Sequence, residues 1–298
     1  MLRIGAVSYL NTKPLIQGLQ RRLGDRGKLS LALPSQLADD LRTGKLDVAL
    51  IPSVEYFRGL ADSANRYQVI SNAAIGCRGP VWSVRLLSRV PTKQIRTLAM
   101  DEGSRTSAAM VRILLKEMHG IEPEPVAFPI NTSAESVDAD AVLMIGDRAM
   151  HPERGVYREI WDLGDRWCRH TELPFVFAMW VARANHFADN QENLRSGLKS
   201  DQSKENISGD RGSPEMTLGK LSKVLEESRD EGLENLERIA KEESAAHGLT
   251  KEDLFRYFAE NLHFKLGRGE QLGLRTFHEK CQLQGLAPLA SSPITESC

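Results

Sequence analysis

The chain has 298 residues, 39 Lys and Arg against 40 Asp and Glu, and a net charge of −1. That length accommodates one large domain or two lobes, each with its own core. Hydrophobic residues at 41% and charged residues at 27% exclude a disordered or fibrous chain, and the balanced charge argues against a protein built to grip a nucleic-acid backbone or an anionic membrane.

In chain order, Leu2 to Val7 is a short apolar run that reads as a strand. A polar turn, Ser8 to Thr12, follows, and Pro14 is placed to open a helix with Leu15, Ile16, Leu19 and Leu23 on one face. Leu29 to Leu33 reads as a second strand, and Ser35 as the cap of a helix that carries Leu37, Ala38 and Leu41 and ends at Gly44. Leu46 to Ile51 is nearly continuous apolar sequence, the pattern of a strand buried in a parallel sheet, and Pro52-Ser53 starts another helix. Two extended stretches follow, Tyr67 to Ile75 and Val81 to Leu87.

After Pro91 the alternation restarts, with a strand at Thr97 to Met100, a polar turn at Asp101 to Arg105 and a helix over Thr106 to His119. Val126 to Phe128, Ala141 to Ile145, a short piece near Ile160 and Trp161, and Phe175 to Val181 are further strands. Asp189 to Pro214 is polar and reads as a loop. Leu218 to His247 reads as one long amphipathic helix ended by Gly248; Thr250 caps the next, and a last helix spans about Glu270 to Gln284. The fold class is α/β, with residues 1–89 plus 178–298 as one lobe, residues 90–177 as a second, and a ligand cleft between them.

The four cysteines, Cys77, Cys168, Cys281 and Cys298, form no Cys-x-x-Cys pair, and the seven histidines make no zinc-binding pattern. No metal or cofactor site is expected, and the reducing cytosol is the expected compartment. The opening residues carry no export-signal pattern, and the longest apolar stretch, around Phe175 to Ala182, is too short to span a bilayer.

In open α/β sheets ligands bind at the carboxyl ends of strands, where turns lead into helices. Four polar turns meet that rule: Ser8 to Thr12, Pro52-Ser53, Gly103 to Ser107, and Gly146-Asp147. Each offers unpaired backbone N–H groups and a positive dipole end to an anion. Gly103-Ser104-Arg105-Thr106-Ser107 adds hydroxyls and a cation; the competing reading is that Ser104 caps the helix and Arg105 lies in solvent. Asn11-Thr12 reads equally as a cap before Pro14, and Asp147 as a cap or a general base. His170 and His263 read as structural or surface groups. Spacing alone reaches a cleft protein for a small anionic ligand.

Longer strings are more specific. Arg3 to Leu15, Asp47 to Tyr56, Asp101 to Ser107, Met144 to Asp147, Leu173 to Trp180, Tyr257 to Leu262 and Leu266-Gly267 resemble the MqnA/MqnD family of menaquinone biosynthesis, on its chorismate dehydratase side. The resemblance implies a type II periplasmic-binding-protein-like fold used as a cytoplasmic lyase. Its substrate is chorismate and its product 3-[(1-carboxyvinyl)oxy]benzoate, with no cofactor, nucleic acid or membrane as partner; the oligomeric state stays open. On that basis Asn11 is expected at the reacting carbons, with Ser8, Thr12, Ser53, Ser83, Ser104, Arg105, Thr106, Ser107, Gly146 and Asp147 around the substrate.

Two departures are visible. Glu172 stands where the family string has Gly, and 189–214 looks like an insertion. Two alternatives remain: the sister 1,4-dihydroxy-6-naphthoate synthase type, and a non-catalytic cytosolic binding protein for a small anion. The sister resembles a family with a histidine after the strand equivalent to Ala141–Ile145, where this chain has Gly146. An exported binder is disfavoured because the chain opens directly into its first strand.

Overall fold

A computed structural model describes residues 1–61, 66–151, 157–183 and 216–289; the loop expected at 189–214 lies outside the described residues, as does Cys298. The strands are β1 (Leu2–Val7), β2 (Gly27–Ala32), β3 (Val48–Pro52), β4 (Tyr67–Cys77), β5 (Val84–Ser88), β6 (Thr97–Asp101), β7 (Glu124–Phe128), β8 (Ala141–Ile145), β9 (Glu159–Asp162), β10 (Phe175–Arg183) and β11 (His263–Lys265). The α-helices are α1 (Leu19–Leu23), α2 (Pro34–Arg42), α3 (Ser53–Leu60), α4 (Thr106–His119), α5 (Leu163–Thr171), α6 (Leu218–Glu234), α7 (Leu236–Ser244), α8 (Lys251–Arg256) and α9 (Arg268–Leu283).

Two sheets form, in the orders β11-β4-β10-β3-β1-β2 and β7-β6-β8-β5-β9. In the first, β1 runs parallel to β2 and β3, while β10 is antiparallel to β3 and β4. In the second, β6 is parallel to β7 and β8, and β5 is antiparallel to β8 and β9. The apolar runs of β3 and β8 are buried along their whole length, as strands covered on both faces must be.

The change of sheet comes earlier than sequence suggests. β5, expected among residues 1–89 of the first lobe, pairs only in the second sheet. β10, cut by the expected 177/178 division, lies wholly in the first. The chain therefore crosses between sheets at 78–83 and returns through α5. Sequence reading missed α5 because Leu163–Thr171 is mostly polar and buries only Leu163, Gly164 and Trp167. Trp167 closes an aromatic knot, with ring centroids 4.9 Å from Phe175 and 5.6 Å from Phe277, that ties α5, β10 and α9 together. Each such ring buries enough surface to contribute about 1.5–3 kcal/mol.

Other elements differ in detail. The helix expected from Pro14 is a 3-10 helix, Leu10–Ile16, with Pro14 inside it; Gly18 at φ 68° then separates it from α1. Leu33, not Ser35, precedes α2, because Pro34 takes the first helical position. The long helix over 218–247 breaks at Asn235 into α6, α7 and a 3-10 turn. Tyr257–Asn261 is a π-helix, and the short strand β11 after it was not foreseen. Cys77, at the end of β4, and Cys168, on α5, neighbour each other despite their separation in sequence; that neighbour, and then burial, hold the Cys77 thiol well above its usual range. Among the described residues no helix is long and apolar enough to cross a membrane.

Glu172 adopts φ 58° as the left-handed C-cap of α5 and is exposed. This conformation is the one that glycine adopts without penalty. The glycine that the resemblance implies at this point would have a backbone reason, and Glu172 is exposed to solvent.

Candidate active site

A cleft lies between the two sheets, with about 550 Å³ of space that is partly open to solvent. Val7, Tyr9 and Asn11 line it from the end of β1, Pro34 and Pro52 from the starts of α2 and α3, and Phe177 and Ala178 from β10. The second sheet contributes Val84, the turn Gly103 to Ser107, Ile145 and Gly146. Val81 and Ser83 come from the crossing segment. This is the strand-end location expected of an open α/β sheet.

Seven of the eleven expected site residues line the cleft: Asn11, Ser83, Ser104, Arg105, Thr106, Ser107 and Gly146. Asn11 lies within the 3-10 helix after β1, which has no side-chain cap, so the capping reading of Asn11-Thr12 fails. Thr12 is fully buried and is not part of the cleft lining; its hydroxyl donates to Asn11 Oδ1 at 3.2 Å and so orients the amide. Ser104 does not cap α4, because Arg105 is the N-cap residue and no side-chain cap bond forms. The Ser104 hydroxyl oxygen is instead buried without a hydrogen-bond partner among the described residues. The first N–H groups of α4 have no partner within the helix, so this corner presents several donors to an anion.

Arg105 corrects the sequence reading in the other direction. Its guanidinium is neither in solvent nor free: Nη2 meets Asp39 Oδ2 at 2.8 Å and Nη1 meets Glu55 Oε1 at 3.3 Å. Asp39 is on α2 and Glu55 on α3, so this pair of contacts crosses the cleft mouth from the second sheet to the first. Among the described residues Arg105 is the only charged residue lining the cleft. The site's attraction for an anion therefore rests on hydroxyls and helix N–H groups.

Ser8, Ser53 and Asp147, like Thr12, do not line the cleft. Ser8 is exposed beside it. Ser53 is fully buried beneath it, donating to the Val176 carbonyl at 2.8 Å and standing 3.3 Å from Thr106 Oγ1, which accepts the Val54 N–H. It locks α3 to α4. Asp147 neither caps a helix nor faces the cleft: its Oδ1 accepts the Leu10 N–H at 3.0 Å, and its Oδ2 stands 3.5 Å from His247 Nε2. Burial raises the Asp147 carboxyl above its usual value, opposed by the Leu10 N–H and by His247. His170 and His263 lie outside the cleft against Glu117 and Glu270, at 2.7 Å and 3.5 Å.

Tyr9 is the main residue that sequence reasoning did not select. A Cβ at Gly146 would stand 3.0 Å from the Tyr9 ring, and one at Gly103 would stand 3.0 Å from its hydroxyl. Gly146 also has φ 68°. The tyrosine therefore packs closely against the backbone of both glycines, and a side chain at Gly146 would be strained and crowd its ring. Its place immediately after β1 was the available signal. Burial and then the nearby Asp101 push its phenol well above the usual range. Asp101 is itself held by Arg148, whose Nε donates to it at 2.9 Å and whose guanidinium lies 4.2 Å from the Phe128 ring centroid.

Comparison with known proteins fits this geometry. The chain is 27% identical over 293 residues to the chorismate dehydratase of Thermus thermophilus, covering 93% of each chain. A crystal structure from Archaeoglobus fulgidus superposes with a TM-score of 0.67 at 16% identity, over 96% of this chain and 98% of that one. The periplasmic aliphatic sulphonate binding protein of Escherichia coli superposes at 0.57 and 14% identity, over 97% and 94%. These likenesses establish a periplasmic-binding-protein-like fold. Residues 2–283 match the family model described as menaquinone biosynthesis, a span that runs from the first residue of β1 to the last of α9, and the chain belongs to that family.

Proposed function

We propose that the protein is a chorismate dehydratase, converting chorismate to 3-[(1-carboxyvinyl)oxy]benzoate and water. The observation that carries this reading is a cleft whose polar wall consists of Asn11, Ser83 and the Ser104, Thr106 and Ser107 hydroxyls at the start of α4, in a chain from a menaquinone biosynthesis family. Likeness to the Thermus thermophilus chorismate dehydratase supports it.

The reaction removes the C3 proton and the C4 hydroxyl of chorismate. Conjugation through the ring double bond to the ring carboxylate acidifies C3–H, and aromatisation supplies the driving force. Such a step needs placement more than a strong base. In this reading Asn11, oriented by Thr12, sits at the reacting carbons and hydrogen-bonds the C4 hydroxyl as it departs. The proton at C3 passes to a carboxylate of the substrate itself and from there to the departing C4 oxygen, which leaves as water. Ser83, Ser104, Thr106, Ser107 and the α4 N–H groups hold the two carboxylates. Ser8 and Ser53 have no direct substrate contact in this scheme; Ser53 supports Thr106, and Asp147 supports the Asn11 turn through Leu10. Arg105 sets the width of the cleft mouth. The elimination chemistry asks for no metal, and we place the enzyme in the cytoplasm, with two lobes that meet at 78–83 and at 172–174.

The sister naphthoate-forming reading loses support at Gly146, where positive φ and the Tyr9 ring leave no room for a side chain. The test is direct. Purified protein incubated with chorismate and a chelator should yield a product lighter by one water by mass spectrometry. Unchanged chorismate that nevertheless binds would make the protein a binding module instead.

A further inference from the structure

Tyr257 to Leu262 carries part of the family resemblance, yet only Leu262 of that string lines the cleft. Tyr257 starts the π-helix Tyr257–Asn261, a form that is rare and concentrated at functional sites. It is fully buried, and its phenol donates to Ser83 Oγ at 2.9 Å. Burial pushes that phenol far above its usual range, opposed by the Ser83 hydrogen bond, so it stays a proton donor.

The segment that carries Ser83 is strained and pinned. Trp82 has φ 62°, in the left-handed region unfavourable to a bulky residue. Asp162 holds it there, accepting the Val81 N–H at 2.9 Å and the Trp82 N–H at 2.6 Å. Asn261 of the same π-helix donates to the Pro80 carbonyl at 3.0 Å, and the Trp82 ring stands edge-on to Tyr257 at 5.7 Å. The Ser83 carbonyl in turn accepts the Gly146 N–H at 2.9 Å. Ser83 cannot turn away from the cleft without breaking these bonds.

We propose that Tyr257 is a positioning residue that commits the Ser83 hydroxyl to donate into the cleft, so that this point selects an acceptor such as a carboxylate oxygen. The argument is proton counting. A serine hydroxyl has one proton and two acceptor lone pairs. If Ser83 donated to the phenol, the Tyr257 proton would be buried with no acceptor among the described residues, a costly arrangement. With Tyr257 as donor, the Ser83 proton has, among the described residues, only the Val81 carbonyl, at a long 3.4 Å, as an alternative to a cleft ligand. A bound carboxylate offers a shorter, charge-assisted bond. The inference rests on the cleft being the chorismate site.

The experiment is a double-mutant cycle with chorismate on Tyr257→Phe, Ser83→Ala and the double variant. Each single change should raise KM about 10-fold with kcat within about 3-fold, and the double variant should be no worse than Ser83→Ala alone. An unchanged KM in Tyr257→Phe, or losses that multiply in the double variant, overturns the inference while the dehydratase reading stands. If the wild-type protein leaves chorismate untouched, that reading falls, and the inference is read from thermal-shift titration with isophthalate, an aromatic dicarboxylate. Weaker binding in Tyr257→Phe then supports it; equal binding, or none to either protein, overturns it.

Discussion

Arg105 reaches across the cleft to Asp39 at 2.8 Å, and this contact decides what that cation can do in the site. Paired also with Glu55, it is already neutralised and acts on the relation between the lobes. Arg105→Ala leaves two carboxylates facing an anionic ligand. It should raise KM for chorismate at least about 10-fold while kcat stays within about 3-fold, a split that steady-state kinetics reads directly. Asp39→Asn should leave KM equal or lower. The melting temperature should move little in either variant, since partly exposed ion pairs contribute about 0–1 kcal/mol.

Asn11 and Thr12 should separate chemistry from orientation. Asn11→Ala should lower kcat at least about 100-fold with the fold intact by circular dichroism, and near-normal turnover would remove Asn11 from the mechanism. Thr12→Val deletes the bond to Asn11 Oδ1. It should cost about 10-fold in kcat and about 1 kcal/mol of stability, the usual worth of one buried hydrogen bond.

Glu172→Gly should stabilise the protein without altering turnover. A left-handed conformation costs an L-residue about 1–2 kcal/mol, and glycine's extra chain entropy returns about 0.5–1 kcal/mol of that. Denaturant melts should therefore show a gain of about 0.5–1 kcal/mol. A loss of stability would mean that the Glu172 side chain holds a contact of its own.

Asp147 makes a pH prediction. Burial raises its carboxyl above the ordinary value, so the folded state holds the proton more tightly than the unfolded chain does. Its contribution to stability is then fullest below the unfolded value near about 4 and falls as pH rises through the raised value. Asp147→Asn keeps an acceptor for the Leu10 N–H and removes the buried charge. Its stability relative to wild type should increase as pH rises from about 4 through the raised value. Asp147→Ala, which orphans the Leu10 N–H, should lose about 1–2 kcal/mol across that range.

Much of the architecture is legible in local sequence. The unbroken apolar runs of β3 and β8, the alternation of strand and helix, and the polar turns after β1, β6 and β8 are written in spacing and residue type. They are legible because burial on two faces and helix starts make demands that neighbouring residues meet. Elements held by distant partners are not legible in the same way. α5 is polar over most of its length and exists because Trp167 meets Phe175 and Phe277. β5 belongs to the second sheet because its partners lie far along the chain.

The same division runs through the site. Chain order by itself determined that Asn11, Ser104, Thr106, Ser107 and Gly146 would stand at strand ends, since a turn's position follows from the strand before it. Only the tertiary structure decided which hydroxyls remain open to a ligand and which serve the protein. Ser53 turns to the Val176 carbonyl, Arg105 to Asp39 and Glu55, and Ser83 is set by a tyrosine 174 positions away. A side chain's role depends on which partner reaches it first, and those partners come from the other lobe and the C-terminal helices, brought within hydrogen-bond range only when the two sheets close on each other.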